Sequence, residues 1–155
     1  MESTIKELNE IVVLCSQKFN QLSEQDFSAK PNPAKWSRKE VVGHLIDSAQ
    51  NNLRRFMVGQ YEVEPHIVYE QEFWVISNRY QQAKKEDVIL LWELMNRQIS
   101  SVLASMPTEN YSRLCNTGRE TPSLRSIEWL ALDYVQHLKH HINQVIAGSF
   151  DVVYP

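Results

Sequence analysis

Asp133-Tyr134-Val135-Gln136-His137-Leu138-Lys139-His140-His141-Ile142-Asn143-Gln144 carries three of the chain's five histidines. A helix turns about 100° per residue, so residues four apart stack on one face. His137 and His141 are such a pair, and two imidazoles one turn apart form a bidentate grip for a metal ion. Ile127, Ala131, Leu138, Ile142 and Val145 set the apolar stripe of the same helix. His141 falls roughly 60° and His137 roughly 100° from the centre of that stripe, and His140 roughly 160°. The first two should flank the core and His140 should face solvent. The bland alternative is a histidine-rich polar shoulder, because two ligands do not close a site. A third ligand must come from elsewhere in the chain.

Working outward, the helix of this stretch should run from about Ser126 to Ala147, with Gly148 as its stop. Three more amphipathic helices precede it. Ile5, Leu8, Val12, Cys15, Phe19 and Leu22 recur at three- and four-residue steps between about Ser3 and Leu22. Val42, Leu45, Ile46, Ala49, Leu53 and Phe56 do the same from about Arg38 to Met57. There Ser37 and Glu40 spell a capping box, serine at the N-cap and glutamate three residues on. Val88, Leu91, Trp92, Met95, Ile99, Val102 and Met106 mark a helix from about Glu86 to Ser105, ended by Pro107. Pro31 and Pro33 interrupt the first connection, and Thr108 to Arg125 reads as polar and irregular, without a strand. Four long amphipathic helices predict an all-α four-helix bundle, one domain over residues 1–155.

The connection between the second and third helices, Gly59 to Ala83, is long for a compact bundle. It would let those helices run parallel. It is rich in aromatic residues, among them Tyr61, Tyr69, Phe73, Trp74 and Tyr80, and Glu70 to Tyr80 has room for a short helix. Such a segment is either a cap over the core or a pocket wall, and Trp74 and Tyr134 are candidate wall residues that serve equally well as core.

Charge and composition exclude several classes. The net charge is −3 with no basic stripe, which argues against nucleic acid as a partner. No run is apolar enough to span a bilayer, and Met1-Glu2-Ser3-Thr4 does not start a signal peptide, so a cytoplasmic protein is expected. Cys15 and Cys115 are too few and too far apart for a disulfide framework; Cys15 lies on an apolar stripe and Cys115 in the polar loop. The chain contains no Glu-x-x-His and no His-Glu-x-x-His, so di-iron carboxylate and zincin chemistry are excluded on ligands. His44 lies more than roughly 100° from the core stripe of its helix, where a surface histidine is the bland reading.

Lys35-Trp36-Ser37 followed by Glu40-Val41-Val42-Gly43-His44-Leu45-Ile46-Asp47-Ser48 resembles the helix-two motif of the DinB/YfiT-like superfamily. Asp133-Tyr134-Val135-x-His137-x-x-x-His141-x-x-Gln144 resembles its helix-four motif. The likeness spans essentially the whole chain. It implies a bundle with a long crossover between helices two and three, and a divalent metal, zinc or nickel by preference, held by His44, His137 and His141. Three imidazoles leave coordination positions open, as in catalytic zinc sites. Asp47, one turn beyond His44, and Asp133, one turn before His137, are placed to accept the free N–H of a ligand histidine. The resemblance further implies an enzyme acting on a small molecule, a hydrolase or a transferase using a low-molecular-weight thiol, and by analogy a homodimer. The alternative is a non-catalytic metal-binding or dimerisation module of the stress-response type.

Overall fold

Ser37 decides where the second long helix begins. Its Oγ accepts from the Glu40 amide at 3.1 Å, and Glu40 Oε2 accepts from the Ser37 amide at 2.8 Å. Two of the orphan donors at a helix start are thereby satisfied, the capping box the sequence predicts. The computed structural model describes residues 1–154. Its helices are α1 (Glu2–Gln21), α2 (Glu24–Ser28), α3 (Arg38–Val58), α4 (Gln71–Asn78), α5 (Lys85–Ser105) and α6 (Ile127–Val145). The short helix expected between Glu70 and Tyr80 is α4.

Contacts at the helix ends fix the topology. Lys39, at the start of α3, donates to Ala83 O at 2.9 Å, two residues before α5 begins. At the other end, Arg113 Nε, beyond α5, donates to Gly59 O at 2.7 Å, just past α3. The two helices therefore run parallel, as the long crossover predicts. Lys85 at the start of α5 donates to Leu22 O at 2.8 Å, so α1 ends where α5 starts. The Met1 ammonium lies 3.5 Å from Glu128, so α1 and α6 start together at the opposite end. The result is a four-helix bundle in which α1 and α6 run against α3 and α5, with the crossover laid along α3.

Three expectations need correction. Thr108 to Arg125 is not wholly irregular: β1 (Leu114–Asn116) and β2 (Leu124–Ser126) pair antiparallel, with Cys115 opposite Arg125. Cys115 is consequently buried, its thiol facing Arg55 O at 3.6 Å, because the hairpin folds over the bundle end where α3 finishes. Leu91, placed on the core stripe of α5, is 41% exposed. The buried line runs through Val88, Trp92, Asn96, Ile99 and Leu103 instead. Finally, α6 stops at Val145, and Gly148 takes its left-handed conformation in the turn beyond rather than at the helix end.

The core is a continuous cluster of apolar side chains from all four long helices. Phe19 and Trp92 meet edge to face at 5.2 Å between centroids, joining α1 to α5. Tyr134 on α6 donates its hydroxyl to Asn96 Oδ1 at 2.6 Å, which satisfies its buried polar tip. Among the described residues no helix is long and apolar enough to cross a membrane.

Candidate metal centre

His44 sits two turns into α3, and His137 and His141 lie in the second half of α6. Because α3 and α6 run antiparallel, the start of one and the end of the other share a bundle end, and the three imidazoles converge there. Their ring centroids are 5.1 Å (His44–His137), 4.7 Å (His44–His141) and 4.5 Å (His137–His141) apart. One ring nitrogen from each can be chosen so that all three lie within 4.8 Å of one another. The structure thus brings together the three residues singled out from the sequence.

The wheel alone would leave His44 at the surface, but it is 1% exposed. A helical wheel assumes one buried face, but α3 is covered by α5, α6, α2 and the crossover helix α4 together. Trp36 lies over the His44 ring, centroid to centroid 5.2 Å. His140 is corrected too. It does not face open solvent but is half-buried, with Tyr154 against it at 5.7 Å.

Electrostatics favour neutral rings. Burial pushes the His44 imidazolium down to about 3, with the neighbouring His141 adding to the effect. Burial, followed by the other histidines and Arg55, holds His137 well below its usual range. His141 is lowered by burial, a shift opposed by its hydrogen bond to Gln144. Each ring therefore keeps a lone pair at neutral pH, the form in which histidine binds metal.

Hydrogen bonds select which nitrogen faces inward. His141 Nδ1 donates to Gln144 Oε1 at 3.1 Å, and Gln144 Nε2 donates on to His140 Nε2 at 3.2 Å. This leaves His141 Nε2 as the free acceptor. His137 Nδ1 is 3.5 Å from Ser48 Oγ, so its Nε2 is likewise directed toward the other rings. His44 Nε2 and His137 Nε2 are 3.2 Å apart. Two imidazoles on one tetrahedral cation, each about 2.0–2.1 Å from it, would hold their nitrogens about 3.3 Å apart. The all-nitrogen donor set and this spacing fit a shared divalent ion.

The two carboxylates expected to orient these rings are engaged elsewhere. Asp47 Oδ1 accepts from Tyr80 Oη at 2.7 Å and Asn78 Nδ2 at 2.8 Å, while its Oδ2 is buried without a protein partner. Burial raises Asp47 to about 6, against the pull of those two donors. The phenol reaches Asp47 because Gly43 has no side chain. A Cβ there would lie 2.1 Å from the Tyr80 ring. Asp133 accepts from Tyr154 Oη at 3.2 Å on both oxygens. Orientation of His141 and His137 falls instead to Gln144 and Ser48, while His44 Nδ1 is buried without a hydrogen-bond partner among the described residues. The same four-residue helical spacing that picked out His137 and His141 also relates Ser48 to His44, so the signal for Ser48 was present. Nothing in the sequence marks Tyr154.

A cleft of about 600 Å³ opens beside His141 and Gln144. Trp36, Lys35 and Arg38 line one side and Gln71 and Glu72 of α4 another. The aromatic wall is thus Trp36. Trp74 is half-buried against Tyr69, centroid to centroid 5.5 Å, and Tyr134 belongs to the core.

A sequence profile of the DinB superfamily matches residues 15–145. The chain belongs to the DinB superfamily. Among solved structures, this DinB chain is similar to YfiT from Bacillus subtilis, described as a probable metal-dependent hydrolase with an unusual four-helix bundle topology. The two are 23% identical, the match covers 93% of this chain and 82% of YfiT, and the TM-score is 0.82. A mycothiol-dependent maleylpyruvate isomerase matches at 10% identity with a TM-score of 0.74. That match covers 91% of this chain but 59% of the isomerase, so the isomerase carries a substantial further part. At these identities the likeness establishes the fold. No curated protein sequence matches the chain.

Proposed function

We propose that this DinB chain is a divalent-metal-dependent enzyme acting on a small molecule, with His44, His137 and His141 as the ligands. The observation that carries the reading is the convergence of three imidazoles, His44 buried and His137 and His141 half-buried, their candidate ligand atoms within 4.8 Å, beside an open cleft. A cation so held supplies Lewis acidity toward an oxygen or sulfur ligand. The chain's own part is to hold the rings neutral, orient His141 and His137 through Gln144 and Ser48, and admit substrate past Trp36. The cleft volume suits a small molecule. The descriptions of YfiT as a probable metal-dependent hydrolase and of the isomerase as mycothiol-dependent support a hydrolase or a thiol-dependent transferase as the reaction types. Neither cysteine is available as the thiol: Cys15 and Cys115 are both buried, so any thiol comes from solution. Asp47 and Asp133 are both held by phenols, which leaves Glu72 as the carboxylate of the cleft for general-base hydrolysis.

Metal analysis of the purified chain should find one divalent ion per protein, zinc or nickel by donor type. His137→Ala should lose it, and stoichiometric metal in that variant would refute the ligand set. With metal loaded, turnover of ester, amide and thiol-plus-electrophile panels should depend on the ion. Glu72→Gln then separates the two types, since it should depress hydrolysis and spare thiol transfer. Bound metal with no turnover on any panel would leave the chain a binding module.

A further inference from the structure

The segment after α6 turns back along that helix. Asn143 Nδ2 donates to Phe150 O at 2.9 Å, and Asn143 Oδ1 accepts from the Phe150 amide at 2.9 Å. This reciprocal clamp fixes where the segment starts. Four residues later the Tyr154 hydroxyl lies between the two oxygens of Asp133. Asn143 and Asp133 are about 15 Å apart along the helix axis. Phe150 packs against the core where the segment starts, but Val153, one residue before Tyr154, is 97% exposed, so apolar contact does not carry the chain as far as Tyr154. The polar anchors place Tyr154, and its ring meets His137 and His140, each at 5.7 Å between centroids.

We propose that Tyr154 is a positioning residue of the histidine centre. Its ring closes the His137 side of the site and its hydroxyl holds Asp133, so that ligands reach the three nitrogens through the Trp36–His141 cleft alone. This assignment rests on the proposed metal centre for its purpose but not for its test. His44, His141 and Ser48 also lie against His137. His141 borders the cleft and stays accessible whether or not Tyr154 is in place.

The test uses the full chain stripped of metal with a chelator. Diethylpyrocarbonate modifies neutral imidazoles, and peptide mass spectrometry reads the rate at each histidine separately. In Tyr154→Ala the rates at His137 and His140 should rise about tenfold, while His141 and His66 change by less than about twofold. Tyr154→Phe keeps the ring but loses the Asp133 anchor, so its His137 rate should fall between those of the native chain and Tyr154→Ala. An unchanged His137 rate in Tyr154→Ala overturns the proposal. So does a parallel rise at His141 and His66, which marks general loosening. Because no metal is present, this outcome is independent of whether the triad binds one; that is decided by metal analysis of the native chain.

Discussion

Lowering the pH of the metal-free protein from about 8 to about 5 should cost it a sizeable part of its stability, and the cost is assigned to two residues. His44 is held down at about 3 and His137 well below its usual range. In the unfolded chain both return to about 6.5. The unfolded state therefore takes up their protons first as pH falls, and stability present above about pH 6.5 is lost beneath it. At pH 5, keeping His44 neutral costs about 2 kcal/mol, and His137, also held low, adds to that loss. Asp47 works in the opposite sense. Its folded carboxyl is raised to about 6, so the folded state protonates first and gains about 1.4 kcal/mol over the same interval. His141, lowered, adds to the loss, and Asp133, raised, opposes it. Glu24 and Glu40 are lowered, so their contribution is lost chiefly beneath this interval. His44 alone outweighs Asp47 and His137 adds to it, so the balance is a net loss in a domain whose total stability is about 5–15 kcal/mol. Urea unfolding followed by circular dichroism, with chelator throughout, measures it. His44→Gln/His137→Gln should remove the loss and leave a slight gain in acid from Asp47. A native chain equally stable at both pH values, or a double variant with an undiminished loss, would refute the electrostatic reading of the centre.

Further outcomes follow from single contacts. Gln144→Ala should weaken metal binding about 10–100-fold, measured by chelator competition, because His141 loses the acceptor that fixes its tautomer. Gly43→Ala should cost about 1–3 kcal/mol in urea unfolding, since the new Cβ collides with the Tyr80 ring. Ser37→Ala should cost about 0.5–2 kcal/mol through the lost cap while leaving metal stoichiometry unchanged. Tyr134→Phe should cost about 1–3 kcal/mol by leaving Asn96 Oδ1 buried without its donor, again without effect on metal content.

The period of the apolar residues was enough to find four long helices, and Ser37 with Glu40 was enough to place the start of α3. Both are local: helix spacing and a cap involve residues within one turn. The His137/His141 pair was legible for the same reason. Local rules failed where covering came from distant chain. The wheel put His44 outside because it could not know that α4, thirty residues on, lies over α3, and it put His140 in solvent because it could not see Tyr154 return. Cys115 looked exposed until the hairpin folded it onto the end of α3. The partners of Asp47 and Asp133 were also invisible, since a carboxylate one turn from a histidine is as free to accept from a phenol far along the chain. Sequence determined which side chains were available and on which face of their own helix they stood. Tertiary packing decided which faces met, because burial and hydrogen-bond partnership belong to whatever segment arrives in space and not to the residue's neighbours along the chain.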